Sequence, residues 1–195
     1  MVGDILRLGK ADASAARARA SVTICLDGDG DVDLKTGSAF LDHMLHAFAR
    51  AGSIDLKAIS EGGISYQRAR ALGEAFGLAL GSAFGDKKGI RRYGWAAVPM
   101  DESMAQAALD ISGRPYLIME GRFAGDHIGD LETPQVKVVI ESIINAARVT
   151  LNVRFEGEND HHKAESLFKA LGLALREAKR VDVEGGAIPS TKGML

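Results

Sequence analysis

His161, His162 and Glu165 place two imidazoles and a carboxylate within five consecutive residues. On a helix, His161 and Glu165 fall at i and i+4 and share a face, while His162 points about a quarter-turn away. Imidazole nitrogen and carboxylate oxygen are good ligands for divalent transition metals, so this pattern can hold one. A plainer reading is a polar helix start with Asp160 as its cap and both histidines solvated. Taken alone, the motif favours that plainer reading. A second cluster lies in Pro189-Ser190-Thr191-Lys192-Gly193, whose hydroxyls, cation and backbone N–H groups suit a phosphate. Its alternative is a frayed terminal segment. Arg92 in Arg92-Tyr93-Gly94 and Arg114 in Ser112-Gly113-Arg114-Pro115 are further anion ligands by type, though each alone reads as a surface arginine.

These residues need elements to position them. Ser21 to Leu26 reads as a β-strand rich in β-branched residues, and Asp27-Gly28-Asp29-Gly30 as a hairpin turn into a returning strand, Asp31 to Lys35. Thr36 and Ser38 can cap a helix in which Phe40, Leu41, Met44, Leu45 and Phe48 share a face, ending near Gly52. Ile54 to Ile59 alternates as a strand, and a second helix spans about Tyr66 to Phe84, with Gly85 at its stop. Next, Met104 to Ile111 and Tyr116 to Phe123 read as paired strands, Val136 to Arg148 as a helix, and Leu151 to Phe155 as a strand. The long helix from His161 to Arg180 closes the series.

Strand, strand, helix, strand, helix therefore occurs twice, and residue identity supports the repeat. Gly77-Leu78-Ala79-Leu80 recurs as Gly172-Leu173-Ala174-Leu175, a register that sets Tyr66, Gln67 and Arg70 opposite His161, His162 and Glu165. The expected organisation is two halves, 1–95 and 96–195, forming one compact unit.

Composition sets outer bounds. A net charge of −2 gives no general attraction to nucleic acid or anionic membrane, so basic residues that matter act locally. With 46% apolar residues the chain can bury a sizeable core, yet no run approaches the ~18 apolar residues of a membrane span. The single cysteine, Cys25, forms no internal disulfide and reads as a buried strand thiol. With no apolar signal core at the start, a cytoplasmic protein is expected.

Taken in order, the motifs carry more than any one of them. They are Leu26-Asp27-Gly28, Thr36-Gly37, Phe40-Leu41-Asp42-His43-Met44-Leu45, Gly89-Ile90-Arg91-Arg92-Tyr93-Gly94 and Pro99-Met100-Asp101-Glu102. Asp110-Ile111-Ser112-Gly113-Arg114-Pro115, the His161 motif with Phe168-Lys169-Ala170, and Pro189 to Gly193 complete the series. Across nearly its whole length the chain resembles the imidazoleglycerol-phosphate dehydratases of histidine biosynthesis. That resemblance implies an α+β fold of duplicated ferredoxin-like (split βαβ) halves, with two sheets packed on a helical layer. It implies a hydro-lyase that converts imidazole glycerol phosphate to imidazole acetol phosphate with manganese. It also implies a homo-oligomer, a 24-subunit shell with active sites between subunits. By position, the implied metal ligands are His43, His161, His162 and Glu165, with Glu165 and His43 in the catalytic role. The implied phosphate ligands are Arg92, Arg114, Lys169, Ser190 and Lys192.

The metal end departs from the family pattern. The family's first histidine pair and glutamate fall on Tyr66, Gln67 and Arg70, with Glu74 one helical turn further on. Its later strand histidine falls on Asn152, its first-strand glutamate on Arg17, and the histidine before Gly52 on Ala51. Arginine stays protonated, and alanine has no ligand atom. The resemblance then implies an impaired or altered metal requirement, or else a catalytically silent paralogue that binds a phosphorylated ligand or co-assembles with an active subunit.

Overall fold

The computed structural model describes residues 6–182, 186–193 and 195. The first half runs β1 (Leu8–Ala15), β2 (Ala18–Cys25), β3 (Val32–Lys35), α1 (Ala39–Gly52), β4 (Asp55–Gly62) and α2 (Ser65–Ala83). The second half runs β5 (Tyr93–Met100), β6 (Ser103–Asp110), β7 (Tyr116–Glu120), a short β8 (His127–Ile128) and β9 (Leu131–Glu132) hairpin, α3 (Thr133–Ala147), β10 (Thr150–Glu156) and α4 (Asp160–Ala178). Strand orders β1-β2-β4-β3 and β5-β6-β10-β7 are the same order written twice. Each sheet is mixed, because β3 pairs β4 and β7 pairs β10 in parallel while the other pairings are antiparallel. The duplicated fold of two sheets packed against helices is thus the one expected.

Two strand pairings differ from expectation. Asp27 to Gly30 turns the chain, but β3 does not fold back on β2; β4 lies between them. A carboxylate causes this. Asp55 Oδ1, at the start of β4, accepts the backbone N–H groups of Asp29, Gly30 and Asp31 at 3.0, 3.1 and 3.0 Å, tying the turn to β4. Likewise β10 lies between β6 and β7, antiparallel to β6 and parallel to β7, to which the α3 crossover joins it. The opening strand of each half, β1 and β5, pairs with β2 and β6 and had no counterpart in the sequence pattern.

Helices α2 and α4 lie on β1–β2 and β5–β6, and the helices pack on one another as α2 on α3 and α1 on α4. Phe76, Phe168, Leu72 and Met44 are among the fully buried side chains of this layer. The Gly-Leu-Ala-Leu repeat acquires a physical reason here. A Cβ on Gly77 would meet the Ile143 carbonyl of α3 at 2.5 Å, and one on Gly172 would run into the Phe48 carbonyl of α1. The two glycines let the helix pairs approach equivalently in both halves. Gly9 and Gly94 repeat the device against the sheets, since a Cβ there would overlap the carbonyl oxygens of Ala79 and Ala174. Gly94→Val is therefore expected to destabilise by about 3 kcal/mol or more, because the obstacle is backbone and cannot rotate aside. Denaturant titration checks this; a loss within error of wild type would show that the strand can shift.

Lys179, only 6% exposed, ties the halves together after α4. Its ammonium donates to the carbonyls of Leu26 and, at 2.7 Å, Ser53, the left-handed cap of α1. Burial, helped by nearby Arg7, pulls its pKa from 10.5 down to about 8, against the opposing pull of Asp27. Below about pH 8 both folded and unfolded chains carry this proton, and the burial penalty is fully present. Between about 8 and 10.5 the folded chain has lost a proton that the unfolded chain keeps, so stability contributed by this group rises with pH. Thermal melts should show wild type gaining on Lys179→Met across that window; parallel melting curves would contradict the assignment.

Candidate metal and anion sites

The start of α4 is shaped by its cap. Asn159, not Asp160, accepts the N–H groups of His161 and His162 at 2.8 and 3.3 Å. Asp160 instead accepts from Ala124 and Gly125 and pairs with Lys163, fixing the loop before β8. With the first turn fixed, Glu165 turns inward to 9% exposure, and His161 stays on the rim. On α1, Ser38 caps through the Leu41 N–H at 3.2 Å, and Asp130 accepts from Ser38, Ala39 and Phe40. That anchoring presents His43 toward α4.

Three sequence-predicted ligands converge. Glu165 Oε2 lies 3.1 Å from His161 Nε2 and 3.3 Å from His43 Nε2, and one ligand atom from each of the three residues falls within a mutual 4.8 Å. Adjacent ligand atoms around an ion with ~2.1 Å bonds sit about 3 Å apart, so the spacing and the N,N,O donor set fit a divalent transition metal. The Phe40 and His161 rings meet edge to face, with centroids 5.3 Å apart. Burial pushes the Glu165 carboxyl pKa up, but the Lys169 ammonium at 2.7 Å, followed by His161 and His43, outweighs it and holds the pKa below the ordinary value. An ionised Glu165 is what a cation needs.

His162 is not brought into this cluster. Its Nδ1 lies 2.8 Å from Glu102 Oε2 and its Nε2 3.6 Å from Asp101 Oδ2, both in the turn between β5 and β6. The hydrogen bond to Glu102, aided by the charges of Glu102, Asp101 and Glu165, raises its pKa. Glu102 carried no role in the sequence reading, although its Pro99-Met100-Asp101-Glu102 motif was visible.

The anion residues divide. Arg92, Arg114, Ser190 and Lys192 line one groove together with Tyr93. Arg92 is largely engaged already. It chelates Asp110 at 2.7 and 3.1 Å, and its third contact, 2.8 Å to the Pro189 carbonyl, holds the following segment in place. Arg114 and Lys192 supply the less committed charge. Lys169 lies elsewhere, against Glu165. The groove sits at the far end of α4, where the Arg92 N–H donates to Ala178. Thirteen residues of helix separate Glu165 from Ala178, or roughly 20 Å at 1.5 Å per residue. Within one chain, then, the metal ligands and most of the anion ligands stand apart.

The residues opposite the His161 motif face other tasks. Tyr66 is 48% exposed and Arg70 is exposed, while Gln67 accepts the Ile64 N–H at 3.3 Å and so caps α2. Glu74 is exposed one turn later. Asn152 lies on the outer face of the second sheet, between Ala108 and Ile118. Cys25 is buried at the end of β2, as expected, and among the described residues no helix is long and apolar enough to cross a membrane.

Residues 36–175 match the family model of imidazoleglycerol-phosphate dehydratase. The chain belongs to that family. It is 46% identical over 165 residues to the imidazoleglycerol-phosphate dehydratase of Methanothermobacter thermautotrophicus, covering 83% of this chain and 84% of that one. Over 168 residues it is 44% identical to the Streptococcus mutans enzyme, covering 84% and 87%. The crystal structure of imidazoleglycerol-phosphate dehydratase from Staphylococcus aureus superposes with a TM-score of 0.80 at 30% identity, over 88% of this chain and 97% of that one. The Pyrococcus furiosus protein in complex with (S)-C348 gives 0.81 at 28% identity, over 94% and 99%. Dehydratase-family membership thus joins a partial His/His/Glu metal cluster in this chain.

Proposed function

We propose that this protein is a hydro-lyase of histidine biosynthesis that dehydrates imidazole glycerol phosphate to imidazole acetol phosphate, working with half of the family's metal ligands. The convergence of His43, His161 and Glu165 carries this reading. These three would hold one manganese ion, with His162 joining from a neighbouring copy. Bound there, manganese would supply Lewis acidity that stabilises charge on the substrate imidazole as the C–H and C–O bonds break. Glu165, kept ionised by Lys169, and His43 would take part as ligands that fix and charge that ion. Arg92, Arg114, Ser190 and Lys192 would receive the phosphate, with Lys169 swinging from Glu165 to reach it.

Separation of the two ends supports a site shared between copies. A substrate of about seven bonds, each about 1.5 Å, spans roughly 10 Å at most. It cannot bridge the roughly 20 Å from Glu165 to the far end of α4 within one chain. A homo-oligomer, the 24-subunit shell of the resemblance, supplies the missing proximity. Two fused halves, parted just before β5 rather than at the expected 95/96 inside that strand, would then act as one unit in a cytoplasmic enzyme.

A second reading has its own support. At the register fixed by the repeated Gly-Leu-Ala-Leu motif, Tyr66, Gln67 and Arg70 offer no imidazole and no carboxylate. On that reading the chain is a catalytically silent paralogue that binds a phosphorylated imidazole or co-assembles with an active subunit. A turnover assay on imidazole glycerol phosphate with manganese decides between them. Product formation abolished by a chelator is the expected result. Ligand binding without turnover would establish the silent reading.

A further inference from the structure

Glu102 sits in the tight turn between β5 and β6, where Asp101 takes a left-handed φ of 48°. Its two carboxylate oxygens do different things. Oε1 accepts three donors from the approach to α4 and its own turn: the Asn159 N–H at 2.8 Å, the Glu158 N–H at 3.1 Å and the Ser103 hydroxyl at 2.7 Å. Among the described residues, Oε2 has the His162 Nδ1 alone as a hydrogen-bond partner, at 2.8 Å. A carboxylate has no proton to give, so Nδ1 must carry one. A neutral His162 then has its lone pair on Nε2. That nitrogen lies 3.6 Å from Asp101 Oδ2, and a lone pair facing a carboxylate oxygen calls for a proton or a cation between them.

We propose that Glu102 is a positioning residue that fixes His162 as its Nδ1–H tautomer and aims Nε2, away from its own chain's His43–His161–Glu165 cluster, at a divalent cation. This rests on the metal-centre reading above. A carboxylate behind a ligating imidazole sets the ring's tautomer and angle and strengthens the ligand. The three donors on Oε1 make the role chemically sharp. In Glu102→Gln, the amide oxygen must take that donor-rich position, which turns the NH2 group toward Nδ1. Nδ1 then has to accept, and the proton moves to Nε2, the atom meant for the metal.

The test uses the full-length, metal-free protein with isotope-labelled histidine. Solid-state NMR at alkaline pH, with His162 assigned by comparison with His162→Asn, reads the tautomer of the neutral ring directly. Wild type is expected to show Nδ1–H and E102Q to show Nε2–H. Manganese titration followed by electron paramagnetic resonance should then find E102Q binding about 10- to 100-fold more weakly. An Nε2–H tautomer in wild type would overturn the proposal whether or not the variant folds. Wild type binding manganese with E102Q equally tight would sink the role of Glu102 alone. A wild-type chain that binds no manganese would sink the metal-centre reading, and the metal-directed role with it.

Discussion

Glu165→Gln is expected to leave the purified protein without stoichiometric manganese. Glu165 Oε2 is the atom on which both imidazoles converge, at 3.1 and 3.3 Å, so no other residue of the cluster substitutes for it. Loss of an outer partner of a metal ligand alone costs about 10- to 100-fold in affinity, and loss of an anionic ligand should exceed about 100-fold. The substitution is nearly isosteric and keeps a partner for Lys169, so the fold should survive. Metal analysis by mass spectrometry, with circular dichroism as the folding check, makes the comparison. A variant retaining wild-type metal content would move the ion elsewhere and remove the main support for the proposed chemistry.

Rebuilding the opposite half should do the reverse. Combining Tyr66→His, Gln67→His, Arg70→Glu and Asn152→His is expected to raise bound manganese from about one ion per chain toward two, as a restored His-His-Glu set supplies a second centre. Tyr66 and Arg70 are exposed, and surface changes of this kind usually alter stability by no more than about 0.5 kcal/mol each. Gln67 contributes a cap at Ile64, so its replacement is the one with a structural cost. Turnover should rise together with metal content. Unchanged metal content in the folded variant would mean that these positions do not face the centre, and that Arg70 does not occupy a vacated ligand place.

Much of this was legible in the sequence because it is local. The i, i+4 relation of His161 and Glu165 is a property of any helix, and the structure keeps it. The Gly77 and Gly172 repeat fixed the register of the halves correctly because each glycine meets a facing carbonyl of a neighbouring helix. What escaped was non-local. The Asp27–Gly30 turn looks like a hairpin because its residues favour one, but the carboxylate that captures its N–H groups is Asp55, on another strand. β1 is rich in alanine and charge, and β5 carries Pro99, so neither shows a strong strand signal; their places are set by pairing with β2 and β6.

The site divides along the same line. His43 could be joined to His161 and Glu165 only through the resemblance, since 118 residues separate it from His161 and no periodicity connects them. By position, the resemblance implies Lys169 as a phosphate ligand. Its i+4 spacing from Glu165 instead gives it a carboxylate partner in the free chain. The quarter-turn offset of His162 was visible from helical geometry, whereas the carboxylate that receives it comes from a distant β-turn.

On the proposed single-metal reading, one metal centre survives and its counterpart does not. An anomalous-scattering map from manganese-grown crystals tests it most directly. A single strong peak per chain is expected, flanked by His43, His161 and Glu165, with no peak beside Tyr66 and Arg70. Two full-height peaks per chain, or no peak at Glu165, would contradict it.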